Sequence, residues 1–225
     1  NALIRPPRTT FAEAIAVGRP SEPAELNVEC DSWELRTEDG LDLPVWDIPG
    51  VAGGPTMLWL HDHGRSRIDA LVDIQTWLEW CGRVVMVDLR GHGDAPGSCM
   101  LGRHEQSDVD RLIEMIDTEA MIVAGRGFGA VLAMDAAQRH AHVSVWAIAP
   151  RQRFEIECAA ALRKHSVPTW PLCALAHMCV CLLGRRPIEP CPPIDDERIH
   201  VADAAEPIPA GPWWSRGISG DASSR

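Results

Sequence analysis

Two short polar segments hold most of the side chains in this chain that could perform chemistry. His61 and His63 lie in LHDHG, Asp88 and His92 lie in DLRGHG, and each segment directly follows an apolar run. Imidazole and carboxylate groups gathered in this way suit general acid–base catalysis or the binding of a metal ion. The alternative is that Asp88 and His92 hold their turn by local hydrogen bonds and that His61 is packed. The spacing matches no established ligand pattern, so we predict no metal site.

A third segment, GRGFGA at 125–130, follows the apolar run AMIVAG and leads into an alanine-rich helix. The first N–H groups of a helix lack partners within the helix and favour anions. A glycine-rich turn of this kind before a helix could therefore cradle a phosphate. Arg126 adds a positive charge beside it, although a single cationic residue can equally pair with a surface acid.

The elements that must position these turns follow from the periodicity of apolar residues. Residues 32–48 alternate as a two-stranded antiparallel hairpin does. Short apolar runs then alternate with amphipathic helices, which is typical of a parallel sheet covered on both faces. These runs occupy residues 56–60, 83–89, 120–125, 143–150 and 198–203. We expect the intervening helices to begin at Ser66, at Ser107 and at Phe128.

Together the three turns resemble those of the α/β-hydrolase superfamily, over residues 30–206. LHDHG (60–64) is similar to the turn whose backbone contributes to the oxyanion hole, and DLRGHGDAPG (88–97) is similar to the turn after the next strand. GRGFGA stands where the nucleophile elbow G-x-S-x-G belongs. The resemblance implies an α/β fold with a mostly parallel sheet, an N-terminal antiparallel hairpin, helices on both faces and a helical cap insertion, shortened at the C-terminus.

The same resemblance implies that the nucleophile is missing, because Gly127 stands where serine, cysteine or aspartate is required. By the family's geometry, the N–H of Phe128 and that of Asp62 or His63 would still converge on a bound oxyanion. In this defect the chain resembles the N-myc downstream-regulated family, which keeps the fold with a glycine in the elbow and lacks hydrolase activity. Cys99 could replace the nucleophile only if its loop folds over the site and a histidine lowers the pKa of its thiol.

The other triad positions of the family match less well. Asp203 or Glu206, in VADAAEPIPA, is the candidate acid, and no histidine follows Glu206. His200 precedes both acids, inside the last predicted strand. An alternative is that the chain is incomplete and that a last strand with its histidine is missing, which would still leave glycine at position 127.

Composition limits the partners and the compartment. The formal net charge is -11, and no basic run offers a surface for nucleic acid or anionic membrane. The eight cysteines include no C-x-x-C pair, and the opening residues do not resemble a secretory leader, so we expect free thiols and a cytoplasmic protein.

The apolar run 170–183 is too short to span a bilayer. Within it Cys173, His177 and Cys181 share a helix face, for which we expect packing in the core.

We divide the chain into an N-terminal extension (1–29), a core (30–150), a helical cap (151–195), a last core strand with the acid turn (196–206) and a flexible tail (207–225). The shortened sheet would leave an open edge, which predicts a homo-oligomer formed through that edge.

The functional hypothesis is a non-catalytic protein of this fold that binds a small apolar or anionic ligand, or a protein partner, without a cofactor. The expected binding residues are His61, Asp62, His63, Arg126, Gly127 and Phe128. The alternative is an active ester or acyl hydrolase, or a lyase. It would use the group His61, His63, Asp88 and His92.

Overall fold

The computed structural model describes residues 11–150, 163, 166, 168–182, 197–203 and 208. Its strands form one seven-stranded sheet in the order β1-β2-β4-β3-β5-β6-β7. They are β1 (Asp31–Arg36), β2 (Asp42–Pro49), β3 (Thr56–Leu60), β4 (Arg83–Val87), β5 (Met121–Arg126), β6 (Val143–Ile148) and β7 (Ile199–Ala202). β2 is antiparallel to β1 and to β4, and the remaining neighbours are parallel. The predicted mostly parallel sheet with an N-terminal hairpin is confirmed.

Helices cover both faces of this sheet. The described helices are α1 (Phe11–Ala16), α2 (Ile74–Leu78), α3 (Arg103–Ile116), α4 (Phe128–Arg139) and α5 (Leu172–Leu182), with 3₁₀ helices at Pro23–Leu26 and Arg67–Val72. One core joins α3 and α4 to the strand face that carries Leu58 and Val123. A second core joins α2 and the Arg67–Val72 helix to the opposite face, which carries Met57 and Ile122. Because both faces are covered, β3 and β6 are buried along their whole length.

Two helices differ from the sequence prediction: one begins after Ser66 as predicted but is interrupted, and the other begins earlier than predicted. The helix expected after Ser66 is divided into the 3₁₀ helix and α2, and the Asp69 carboxylate accepts the Ser66 N–H at 3.0 Å. α3 begins at Arg103 instead of after Ser107, because the buried Glu105 carboxylate accepts the N–H groups of Met100 at 2.7 Å and Gly102 at 2.9 Å. An acidic residue in the first turn of a helix is a recognised start signal, and the prediction based on Ser107 overlooked it.

The predicted cap falls mostly outside the described residues, as do the tail from 207, apart from Ile208, and the candidate acid Glu206. α5 lies within the predicted cap, and the expectation that its cysteines pack in a core is wrong, because Cys181 is exposed and Cys173 is only half-buried. Large apolar side chains at Trp170, Leu175 and Leu182 are exposed as well. Among the described residues, no helix combines the length and the apolar character needed to cross a bilayer.

The central helix α4 lies unusually close to the sheet, and this contact fixes the turn before it. A Cβ added to Gly129 would overlap the carbonyl oxygen of Leu60 at the end of β3. A Cβ on Gly125 would in turn meet the backbone of Gly129. These two glycines of GRGFG are therefore required by the distance between the helix and the strands.

We predict that Gly129→Ala lowers the free energy of unfolding by about 3 kcal/mol or more, because neither backbone can yield to the new methyl group. Gln138→Ala, at an exposed position of the same helix, is the control and should change it by less than about 0.5 kcal/mol. Urea titrations followed by circular dichroism measure both values. Equal midpoints for the two variants would contradict the close approach of α4 to β3.

Candidate functional site

The register of three parallel strands brings the three polar turns to one edge of the sheet. Leu60, the last residue of β3, is paired with Val87, the last residue of β4, and with Gly125 near the end of β5. The turns that follow these strands start side by side, at the carboxyl edge where open α/β sheets bind ligands. The predicted convergence of the turns is therefore present.

Gly127 forms the sharp turn between β5 and α4. Its φ of 55° and ψ of -110° lie in a region that costs a residue with a Cβ about 1–3 kcal/mol. Its own N–H donates to the carbonyl of Ile148 on β6 at 3.0 Å. Glycine adopts this conformation without that cost.

The Asp62 carboxylate occupies the space over this turn. Its Oδ1 accepts the N–H of Phe128 at 2.8 Å and the N–H of His63 at 2.7 Å. These are two of the backbone donors expected to bind an oxyanion. A Cβ built on Gly127 would overlap Asp62 Oδ1 and Cγ, so the carboxylate occupies the space that a side chain at position 127 would need. Asp62 was expected to offer its backbone N–H to a ligand, but its side chain is the acceptor at this site.

His61 connects the first turn to the second and is structural. Its Nε2 accepts the N–H of Leu89 at 3.0 Å, which assigns the ring proton to Nδ1, and Nδ1 then donates to the carbonyl of Asp62 at 2.8 Å. The ring is buried, and this desolvation lowers the pKa of His61. Both ring nitrogens are therefore engaged, in agreement with the alternative that His61 is packed.

The carboxylate oxygens of Asp88 are also occupied by structural contacts. Its Oδ1 accepts the N–H of Arg67 at 2.7 Å, and its Oδ2 accepts the N–H of Asp94 at 2.9 Å. The Arg67 guanidinium lies 3.2 Å from Oδ2 as an ion pair. Asp88 and His61 therefore hold backbone in place, which leaves His63 and His92 as the members of the proposed group whose chemistry has to be considered.

Arg90 is a positioning residue within DLRGHG to which the sequence analysis assigns no role. Its buried guanidinium binds Asp108 on α3 through Nε at 2.7 Å and Nη2 at 2.8 Å, and it binds Asp39 of the hairpin turn at 2.8 and 3.0 Å. The guanidinium lowers the pKa of the Asp39 carboxyl. The partners lie 18 and 51 residues away in the chain, so no local pattern could reveal them.

His92 lies at the centre of a compact polar group. Its ring centroid is 5.0 Å from that of His61 and 5.2 Å from that of His63. Desolvation by burial, assisted by repulsion from the two neighbouring histidines, lowers the pKa of His92 to about 3. One nitrogen of His63, one of His92 and the Cys99 sulfur all lie within 4.8 Å of one another. The loop of Cys99 therefore does fold over the site, which is the first condition for any role of that thiol.

The remaining predicted site residues lie on other parts of the sheet edge. Arg126 is exposed at the end of β5, and no ion pair joins it to another described residue. Asp203 is exposed just after β7. His200 stacks on Trp146 with ring centroids 4.2 Å apart. The roles of Arg126 and Asp203 in the site stay predictions.

Comparison with known proteins identifies the fold. No family model and no curated protein matches the chain. Among solved structures, the esterase Pf2001 of Pyrococcus furiosus is similar with a TM-score of 0.60 at 21% identity over 81% of this chain and 69% of that chain. In another crystal form the TM-score is 0.57 at 22% identity over 66% of this chain and 61% of that one. The proline iminopeptidase-related protein of Thermus thermophilus gives a TM-score of 0.55 at 24% identity, over 64% of this chain and 52% of that one.

At this level of sequence identity the structural similarity shows the fold alone. The chain has the α/β-hydrolase fold. It spans 61% of the esterase in one crystal form and about half of the iminopeptidase-related protein.

The buried histidines make stability depend on pH. His61 and His92 have pKa values lowered in the folded protein, so below about pH 6.5 these two side chains bind more protons in the unfolded chain than in the folded one. Burial raises the pKa of Glu105 and of Asp108, so their carboxyls oppose this contribution. We expect the free energy of unfolding to fall as the pH is lowered from about 6.5 to about 5, by up to about 1.4 kcal/mol per pH unit for each histidine. The Asp39 carboxyl contributes to pH dependence only below about pH 4.

Urea titrations at several pH values, in buffer that contains a chelator, measure this slope. His92→Gln should reduce it, whereas His142→Gln, which removes an exposed imidazole, should leave it as in the wild type. An unchanged slope in the first variant would show that His92 is not held neutral by burial.

Proposed function

We propose that this protein is a non-catalytic member of the α/β-hydrolase fold that binds a small apolar or anionic ligand or a protein partner. One observation carries the proposal: the Asp62 carboxylate accepts the N–H groups of Phe128 and His63 and fills the place of a nucleophile over Gly127. A serine hydrolase needs both a nucleophile and an open oxyanion hole. Loss of the nucleophile alone costs roughly a millionfold in turnover.

The charge of Asp62 also bears on the ligand. An anionic ligand at the elbow has to displace the carboxylate from two charge-assisted hydrogen bonds, which are the stronger kind. An apolar ligand or partner meets no such competition. The exposed side chains Trp170, Leu175, Met178 and Leu182 on and before α5 support apolar binding, since contiguous exposed apolar surface marks interaction sites.

A cytoplasmic location belongs to the same proposal and is supported by the thiols. No disulfide joins the cysteines in the part of the chain that the structure describes, which include the buried Cys81 and Cys99. Persistent free thiols are typical of a reducing compartment.

A second candidate function is a hydrolase or lyase that works without serine. Of its four expected residues, His61 and Asp88 are occupied by structural hydrogen bonds. The observation that favours it is the proximity of His63 and His92 to Cys99.

Incubation with a fluorophosphonate and with a panel of acyl esters tests the main proposal. We expect neither stoichiometric labelling nor turnover. Labelling or rapid turnover by the wild type would overturn it, and turnover that a chelator abolishes, without labelling, would support the second candidate.

Gly127→Ser is expected to restore no turnover and to destabilise the protein, because the new side chain overlaps the Asp62 carboxylate. Gly53→Ser is the matched control, since Gly53 also has a positive φ, of 84°, but an added Cβ there meets nothing within 4 Å. The control should cost about 1–2 kcal/mol for the backbone conformation alone, and Gly127→Ser should cost clearly more. In an Asp62→Ala background the excess should shrink, and an unchanged excess would contradict the overlap with Asp62.

We further propose that the protein self-associates through β7. In the described part of the chain β7 pairs with β6 on one side, and its Val201 is 52% exposed. Light scattering should give a dimer for the wild type and for Val51→Lys, a change at a similarly exposed valine away from this edge. Val201→Lys should shift the protein toward the monomer, because charges on edge strands oppose pairing. A strictly monomeric wild type would rule out this assembly.

A further inference from the structure

His63, His92 and Cys99 present two imidazole nitrogens and one thiol sulfur to a common point. These three atoms all lie within 4.8 Å of one another. His92 and Cys99 are fully buried, and His63 is half-buried. Imidazole and thiolate are the ligands that zinc prefers in proteins, and three of them are the usual protein contribution to a site with one open position.

The tautomer and the orientation of the His92 imidazole suit the binding of a cation. Its Nδ1 lies 3.0 Å from the carbonyl of Arg90, which is an acceptor only, so Nδ1 carries the proton and Nε2 presents a lone pair. Nε2 is buried and has no hydrogen-bond partner among the described residues. A buried acceptor without a partner costs about 1–3 kcal/mol. Donation from the other ring nitrogen to a backbone carbonyl is the arrangement that orients histidine ligands of metals.

Independent contacts hold each of the three residues in place. The turn of His92 is anchored by Arg90, whose guanidinium binds Asp39 and Asp108. The turn that leads to Cys99 is closed by the hydrogen bond from Gly91 N–H to the carbonyl of Pro96 at 3.0 Å. The backbone of His63 is held by its N–H donation to Asp62. Ligands fixed by surrounding contacts lose little freedom on binding a metal, which favours a defined geometry.

We propose that His63, His92 and Cys99 form a binding site for one Zn²⁺ ion. Cys99 binds as the thiolate, so its thiol proton is released to solvent when the Zn–S bond forms. The half-buried His63 provides the side from which the ion enters. This inference departs from our expectation that the chain has no metal site, and it does not depend on whether the protein is catalytic.

The test uses the full chain, stripped with a chelator and titrated with Zn²⁺, with bound metal measured by atomic emission after removal of the excess. We expect one tightly bound equivalent in the wild type and in Cys81→Ala. Cys81 is equally buried but belongs to the core on the other face of the sheet, so this variant controls for the loss of a buried thiol. Cys99→Ala should weaken binding at least about 100-fold, since removal of even an outer partner of a ligand costs about 10–100-fold.

His63→Gln supplies a second variant whose folding is less at risk, because His63 is only half-buried. It should also weaken binding, with the circular dichroism spectrum of the wild type retained. Replacement of Zn²⁺ by Co²⁺ should produce a thiolate-to-cobalt absorption band in the wild type and in Cys81→Ala that is missing in Cys99→Ala. Equal zinc content in Cys99→Ala and the wild type, or a cobalt spectrum without the thiolate band, would overturn the proposal.

Discussion

Two hydrogen bonds accepted by one carboxylate oxygen determine which groups can bind at the turn before α4. Asp62 Oδ1 accepts two backbone N–H groups, from Phe128 at the start of α4 and from His63 in the turn after β3. Donors of this kind at a helix N-terminus favour negative charge. In hydrolases of this fold such donors stabilise charge that develops on the substrate, and here they donate to a side chain of the protein. Gly127 is the necessary counterpart, because any side chain at that position would meet the carboxylate.

The surrounding polar residues connect the turns and keep this arrangement rigid. His61 joins the first turn to the second by accepting the N–H of Leu89. Arg90 joins the second turn to the hairpin and to α3 through Asp39 and Asp108. Buried ion pairs of this kind add little stability relative to apolar packing, but removal of one partner is costly because it leaves a buried charge. The histidines and acids that resemble catalytic groups in the sequence thus serve largely to position the backbone of the turns.

The sequence predicts the fold well because fold signals are local. The apolar runs, the hairpin alternation and the glycine spacing of GRGFG each require only neighbouring residues, and the strands lie close to their predicted positions. The site is less predictable because its decisive contacts join residues far apart in the chain. Asp62 meets Phe128 across 66 residues, and Arg90 meets Asp39 across 51. Cys99 could be assigned to the site only once the path of its loop was known. Glu105 is different, because its capping role was readable in the sequence and was overlooked.

The Asp62 carboxylate at the turn before α4 also affects the neighbouring polar group of His63, His92 and Cys99. With Asp62 bound to both amides, the helix N-terminus is already neutralised, and a second anion nearby would be repelled. The adjacent residues His63, His92 and Cys99 offer electron pairs, not N–H donors arranged for an oxyanion, and His92 has a buried lone pair without a hydrogen-bond partner among the described residues. A cation placed there gains from the nearby carboxylate as well as from its ligands. The polar group beside the turn of Asp62 is therefore electrostatically suited to a positive charge.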